Sequence, residues 1–406
     1  MTGMLKGIRV IELGRVIAAP YAAQLLGDLG AEVIKIEQPV EGDMVRDFGP
    51  PFLKDRNGQP LMKESGWFLT ANRNKRSITV NLASAEGQAL VRDLAGKSDV
   101  MIENYKVGDL ARFGLGYAAL HELFPKLVYC SVTGFGQTGP YAKLPGVDTV
   151  FQAIGGLMSL TGEENGPPLR VGVSMGDYVG ALYSAFAIMS ALYHRDLHGG
   201  TGQHIDLSLL DATVAAASHK AQDFLVSGEV PGRFGSAVSD TAIAQALRCK
   251  DGSLMVQAST DDKFLTLCTV GGRPDIARDP LYAMRPIRIR NKVSLVELLE
   301  REVMGQYTVA EWMERLNKVG IICSAVNDMR QTFDDPQVRH RGMAVEVPHP
   351  FAGMLKLVAN PLRFSETPIE GYTAPPQIGE HTDAVLKDVL GIDAGEINRL
   401  RQTGAI

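Results

Sequence analysis

The chain is poor in the features that would point to metal, redox or membrane chemistry. Its four cysteines, Cys130, Cys249, Cys268 and Cys323, are scattered with no C-x-x-C spacing, so neither a zinc site nor a disulfide framework is expected, and they read as buried thiols. The eight histidines show no ligand spacing either. No run of eighteen apolar residues marks a membrane span, and Met1 to Lys6 lacks the charged-then-apolar layout of a signal peptide. A net charge of -5 gives no bulk attraction to nucleic acid or to an anionic membrane. A cytoplasmic protein with no metal, no nucleic acid and no membrane partner is therefore expected.

Two catalytic signatures are also missing. The first strand-to-helix turn, Gly14-Arg15-Val16-Ile17-Ala18-Ala19-Pro20, lacks the G-x-G-x-x-G spacing that lets a dinucleotide pyrophosphate approach the backbone, which argues against a nicotinamide cofactor. No G-x-S-x-G elbow supports a serine hydrolase.

What is present is an ordinary globular composition, 45% hydrophobic and 21% charged, over 406 residues, a length that suggests two domains. The first forty residues read as strand (8–13), helix (20–29) and strand (31–37). A second round places a strand near 78–82, a helix over 84–95, and strands near 100–104 and 127–133. Such alternation predicts an α/β fold with a doubly wound, Rossmann-like parallel sheet. The run 203–209 reads as its last strand, followed by an Ala-rich helix over 212–225 and a Gly, Pro and Ser-rich linker at 226–239. A hairpin over 242–258, turning at Asp251-Gly252, and helices near 263–270, 294–304 and 309–319 predict a smaller α+β domain. From about Phe333 the prolines at 348, 350, 361, 368, 375 and 376 predict an extended segment. The expected division is a large domain over 1–210, a linker over 211–239, and a small domain over 240–332.

The most informative stretch is Pro168-Leu169-Arg170-Val171-Gly172-Val173-Ser174-Met175-Gly176-Asp177, which delivers a carboxylate to the start of an apolar helix. Val179, Leu182, Phe186, Met189 and Leu192 recur at helical spacing, so this helix is expected to be buried. Backbone N–H groups at its start would favour the ionised form of Asp177. Gly176 would let another molecule approach the backbone. On local sequence alone Asp177 fits an N-cap.

The balance changes with the surrounding motifs. Leu5-Lys6-Gly7-Ile8-Arg9-Val10-Ile11-Glu12, Gly30-Ala31-Glu32-Val33-Ile34-Lys35-Ile36-Glu37, Asn74-Lys75-Arg76-Ser77, Glu103-Asn104-Tyr105, Gly134-Phe135-Gly136-Gln137-Thr138-Gly139-Pro140, Thr201-Gly202-Gln203-His204-Ile205-Asp206 and Gly379-Glu380-His381-Thr382 follow in order over nearly the whole chain. Together they resemble the class III CoA-transferases. The resemblance implies that Asp177 is the catalytic nucleophile and that coenzyme A thioesters are substrates, with no prosthetic group. It also implies that 333–406 returns to the large domain and that two subunits interlock as a homodimer. By the same resemblance Val16, Ile17 and Ala18 line the CoA site through their backbone, Arg112 matches a CoA-binding arginine, and Asp148 is a site residue that orients the aspartate or substrate.

Asn81 and the run Asn104-Tyr105-Lys106 fall at predicted carboxyl ends of strands, where open α/β sheets bind ligands. The cationic cluster Asn72-Arg73-Asn74-Lys75-Arg76 reads either as solvated surface or as a ligand-facing site. His381 and Asp206 read as structural. Relative to some family members, Ile17 stands where a glutamine is found and Gln38 where an arginine contacts CoA. The related α-methylacyl-CoA racemases carry a histidine where this chain has Val147, and a valine exchanges no proton, which counts against racemisation. The glycine-rich loop of the formyl-CoA:oxalate enzymes is not visible between Val226 and Gly252, so the expected reaction moves CoA from a donor such as succinyl-CoA to mesaconate, itaconate, citramalate, malate or glutarate. Arg46, Arg73 and Arg170 are candidates for a distal carboxylate. The alternatives are a racemase-like enzyme and a non-catalytic CoA-binding protein in which Asp177 only caps a helix.

Overall fold

The computed structural model describes residues 3–238 and 241–406. Met1 and Thr2, and Ser239 and Asp240 at the end of the expected linker, lie outside the described residues. The described chain divides into two compact units, one built from residues up to 157, 171–222 and 339–406, the other from 158–170 and 223–338.

The first unit is organised by six parallel strands: β1 (Arg9–Leu13), β2 (Glu32–Glu37), β3 (Lys75–Thr79), β4 (Val100–Glu103), β5 (Val128–Thr133) and β6 (His204–Ser208). Their spatial order is β3-β2-β1-β4-β5-β6. This is the doubly wound order, with its reversal between β1 and β4. Alternate residues of β1 serve opposite faces. Val10 joins Val33, Val100 and Val128 beneath helix α1 (Ala18–Asp28) and the long helix Met175–His198, while Ile11 and Leu13 join Ile34, Ile78 and Met101 beneath helix α2 (Ala85–Ala95). Helix α3 (Asp148–Ile154), helix α4 (Met175–His198) and helix α5 (Leu209–Ala216) pack on one another, and α4 also packs on α1, β5 and β6.

The apolar stripe expected to bury α4 does not do so. Leu192 is buried, but Leu182 and Phe186 are exposed, and the buried face is Gly176, Gly180, Ala181, Ser184, Ile188 and Ala191. Small residues win that face because α4 presses closely on α5: a Cβ at Gly180 would stand 2.5 Å from Leu209 Cδ2. By length and composition α4 would also cross a membrane; here its small-residue face packs on α1, α5 and the sheet.

Two further expectations need correction. The Ala-rich helix over 212–225 is two helices, broken where Ser218 takes a left-handed φ of 47°. The C-terminal run is not merely extended. It holds an antiparallel hairpin, Ala344–His349 with Gly353–Val358, and two helices, Thr382–Leu390 and Ala394–Gln402, whose Leu386, Ile397 and Leu400 pack with Leu90 of α2. The prolines gather around the hairpin turn and in the irregular stretch between, so they do not stop these helices.

The second unit carries a three-stranded antiparallel sheet in which Ser253–Gln257 lies between Ala244–Arg248 and Ile322–Ala325. Helices Asp261–Val270, Lys292–Glu302 and Val309–Lys318 share its core around the fully buried Trp312.

Candidate functional site

At the reversal between β1 and β4 the two strand ends are clasped together. Asn104 accepts the Arg15 N–H at 2.9 Å and donates to the Arg15 carbonyl at 2.8 Å, and the Arg15 guanidinium lies 4.6 Å from the centre of the Tyr105 ring. A cleft of about 190 Å³ opens there, lined among others by Gly14, Arg15, Gln38, Asp43 and Tyr105. The next residue, Val16, is held at φ 67°, a left-handed conformation a β-branched residue rarely takes, with its N–H on Asp43 Oδ1 at 3.2 Å. Ile17 and Ala18 are buried as the chain enters α1.

The turn rests on a buried ionic layer. Lys35 Nζ donates to Glu12, Asp43 and the Gly14 carbonyl at 2.9–3.0 Å, and Lys75 Nζ donates to Glu12, Asn72 and the Pro20 carbonyl at 2.8 Å. Arg46 forks onto Glu37 at 2.7 and 2.8 Å, and burial, which raises the Glu37 pKa, is overcome by that guanidinium, which holds it at about 2. Arg73 forks onto Asp28 at 2.5 and 2.9 Å. Within the cluster 72–76, Asn72, Arg73 and Lys75 are therefore buried and engaged inside the protein, while Asn74 and Arg76 are half-buried, Arg76 pairing with Glu32. Arg46 and Arg73 are not candidates for a substrate carboxylate, because buried acids already engage both guanidinium groups.

Asp177 is the third residue of α4, and it is not the cap. The N-terminal N–H groups are taken by another carboxylate: Asp148 Oδ1 accepts from Gly176 at 2.8 Å and from Asp177 at 3.4 Å. Asp148 begins α3, and one turn on, the buried Gln152 donates to Asp148 Oδ2 at 2.6 Å and to the Val173 carbonyl at 3.0 Å while accepting the Val171 N–H at 2.8 Å. Gly176 does not admit a ligand to the backbone. Its missing side chain admits Asp148 and Thr213, whose Oγ1 would stand 2.7 Å from a Cβ. Among the described residues the Asp177 carboxylate has no hydrogen-bond partner. Burial, together with the nearby Asp148 charge, pushes its pKa up to about 7. The expectation that helix N–H groups would favour ionisation fails, since Asp148 has already claimed them.

Asp177 does not line that cleft. Tyr21, in the first turn of α1 just beyond the 14–18 turn, meets the ring of Tyr178, the neighbour of Asp177, edge-on at 5.0 Å.

The remaining expected residues fall elsewhere. Asn81 donates to the Gly404 carbonyl at 3.0 Å and its own N–H bonds Ala405, so its side chain secures the C-terminal segment. Lys106 is exposed beside Tyr105. Arg112 ends a one-turn helix, exposed and paired with Asp109 at 2.5 Å. His381 Nδ1 accepts the Ser77 N–H, and Asp206 accepts the Gln137 N–H, both tying loops to the sheet. Gln152 was not anticipated, although an acid and an amide at i and i+4 signal a helical pair. Nor was the buried contact of Lys35 with Glu12 and Asp43 anticipated; for Glu12 and Lys35, charges inside strands expected to be buried on both faces were the available sign.

A match to the family described as CoA-transferase family III spans residues 5–382. The chain belongs to CoA-transferase family III. Among curated relatives of this family III chain, the succinate--glutarate CoA-transferase of Agrobacterium fabrum is 39% identical over 389 residues, covering 96% of this chain and 96% of that protein. The succinyl-CoA:glutarate CoA-transferase of Homo sapiens is 37% identical over 402 residues, covering 99% and 90%. A solved CAIB/BAIF family protein from Brucella suis superposes with a TM-score of 0.88 at 37% identity, over 96% of this chain and all of that one. As a family III CoA-transferase, the protein acts on CoA thioesters.

Proposed function

We propose that this enzyme moves CoA from a donor such as succinyl-CoA to a small dicarboxylate of the glutarate class, with Asp177 as nucleophile. The observation that carries the reading is a partly buried carboxylate at a helix start that does no capping and has no hydrogen-bond partner among the described residues. Asp177 attacks the donor carbonyl, the C–S bond breaks, and a mixed anhydride forms as CoA thiolate leaves. The thiolate attacks the aspartyl carbonyl, releasing the donor acid and leaving an aspartyl-CoA thioester. The acceptor carboxylate attacks that thioester, and the thiolate then takes the acceptor acyl group from the second anhydride, freeing Asp177. Backbone N–H groups of the glycine turns serve as oxyanion donors.

The CoA moiety lies along Val16, Ile17 and Ala18 and against Asn104, Tyr105 and Lys106, with Arg112 at the outer end; Asp148 holds the nucleophile's helix. Asn81 contributes only by anchoring the chain end. The enzyme works in the cytoplasm without a prosthetic group, nucleic acid or membrane. It works as a homodimer. The exposed stripe Leu182, Phe186, Tyr193 and Leu197 on α4, an apolar face at helical spacing, supports that assembly, and a sedimentation mass equal to one 43.9 kDa chain would overturn it.

The decisive experiment exposes the enzyme to succinyl-CoA, adds hydroxylamine and maps the modified residue by mass spectrometry. Modification of Asp177, abolished in Asp177→Ala, is expected; full turnover by Asp177→Ala refutes the reading. A panel of acids read by mass spectrometry then ranks the acceptors, with glutarate expected among the best. Deuterium entry at the α-carbon without CoA exchange would instead favour the racemase reading.

A further inference from the structure

The four residues Ser174, Met175, Gly176 and Asp177 spell a capping box, the S-x-x-D/E pattern in which the first side chain caps the helix and the fourth reaches back to the first N–H. Left to itself, such a sequence would spend Asp177 on its own helix. The structure leaves the box open. Ser174 sits at ψ 72°, away from the extended conformation of a capping residue, and its hydroxyl makes no capping bond. The Met175 N–H turns back to the Val173 carbonyl at 2.8 Å, and Asp148 takes the N–H groups of Gly176 and Asp177.

Gln152 is the residue that fixes this arrangement. It is fully buried, and both ends of its amide are engaged: Nε2 binds Asp148 Oδ2 and the Val173 carbonyl, and Oε1 accepts the Val171 N–H. One side chain thereby sets the rotamer of Asp148 and pins the turn on either side of Gly172. We propose that Gln152 is a positioning residue that holds the Ser174–Asp177 capping box open, so that the Asp177 carboxylate stays free to react. Without Gln152, Asp148 loses its 2.6 Å partner, the 171–173 turn loses two anchors, and the latent box closes on Asp177. A closed box lowers the pKa of Asp177 by hydrogen bonding and withdraws it from the substrate. The inference rests on Asp177 being the nucleophile, and it concerns how that nucleophile is presented.

The test uses the full-length enzyme and succinyl-CoA. Gln152→Leu, with similar bulk and no hydrogen bonds, is expected to lower kcat about 10- to 100-fold with the KM for succinyl-CoA within about twofold of wild type, because the cleft is untouched. The acid limb of its kcat/KM profile is expected to move to lower pH. A second arm reverses the polarity of the pair. Asp148→Asn keeps an acceptor for Gly176 but sets two amide donors face to face, and Gln152→Glu sets two carboxylates face to face; in the double variant Asp148→Asn/Gln152→Glu the new amide at the start of α3 donates and the new carboxylate one turn on accepts. Each single variant is expected to lose kcat, and the double to recover above the product of the two losses but short of wild type, because a carboxylate at 152 no longer donates to the Val173 carbonyl. Wild-type kcat and pH profile in folded Gln152→Leu overturns the proposal. Should that variant not fold, the polarity swap decides, and multiplicative losses without recovery overturn it. Absence of hydroxylamine trapping at Asp177 in wild type would sink the nucleophile itself, whereas trapping at equal rate in wild type and the Gln152 variants sinks only this inference.

Discussion

Asp148 Oδ1 stands 2.8 Å from the Gly176 nitrogen, so the helix that presents Asp177 is capped from outside by a carboxylate belonging to another helix. This separates stability from reactivity at the site: Asp148 is needed by the fold, while the Asp177 carboxylate satisfies nothing. Asp177→Asn is therefore expected to abolish transfer and to stabilise the protein. The sign follows from the raised pKa. The unfolded chain ionises Asp177 near pH 4 and the folded chain at about 7, so the folded state is penalised increasingly from pH 4 to 7 and by a constant amount above. The gain in melting temperature of Asp177→Asn should be full at pH 8 and vanish toward pH 4. A loss of stability at pH 8 would show that the carboxylate is spent on the fold after all.

Under the proposed reaction the same shift sets the expected pH dependence of catalysis. As the proposed nucleophile Asp177 must be ionised, so kcat/KM, which reports the free enzyme, should rise with pH through an apparent pKa near 7. About a tenth of the full value is expected at pH 6 and about nine-tenths at pH 8. The profile is measured with succinyl-CoA over pH 5 to 9, and a flat profile down to pH 5 would mean that Asp177 has an ordinary carboxylate pKa in the working enzyme.

Much of this was legible in the sequence, for definable reasons. The alternation of β-branched strands with amphipathic helices foretold the parallel sheet, because burial on both faces leaves an apolar run that periodicity detects. Asp177 and Asp148 stood out as candidates through their motifs. What could not be read was long-range chemistry. Nothing local says that Glu12 shares its two oxygens between Lys35 and Lys75, which lie 23 and 63 residues away, or that Arg46 and Arg73 turn inward. The orientation of α4 was misread for a related reason: Leu182 and Phe186 advertise burial by hydrophobicity, yet Gly180 and Ala181 decide the inner face by their lack of bulk.

Gly176→Ala tests whether the tight seam at the start of α4 is real. In an exposed helix interior this exchange would gain about 0.5–1 kcal/mol. Here the new Cβ would meet Thr213 Oγ1 at 2.7 Å and Asp148 Oδ1 at 3.1 Å. Thr213 has little room to yield, since it is buried and its hydroxyl donates to the Leu209 carbonyl at 2.7 Å. A net destabilisation of about 1–3 kcal/mol is expected by urea denaturation, with partial rescue in Gly176→Ala/Thr213→Ala, where the obstructing oxygen is gone. Stabilisation by the single substitution would show that the seam is looser than described.

The buried ionic layer under the 14–18 turn gives the last prediction. Lys35 has no exposed surface and is shared by Glu12, Asp43 and the Gly14 carbonyl. Lys35→Met keeps most of the volume but strands part of two buried carboxylates, so a loss of about 3–5 kcal/mol is expected, seen as a lower urea midpoint with unchanged m. Because Asp43 Oδ1 also receives the Val16 N–H, the strained φ of Val16 should relax with the layer, and the KM for succinyl-CoA should rise more than kcat falls. A variant that kept wild-type stability would mean that Lys75 alone neutralises Glu12. One that lost stability but kept KM would mean that the turn holds its shape without the layer beneath it.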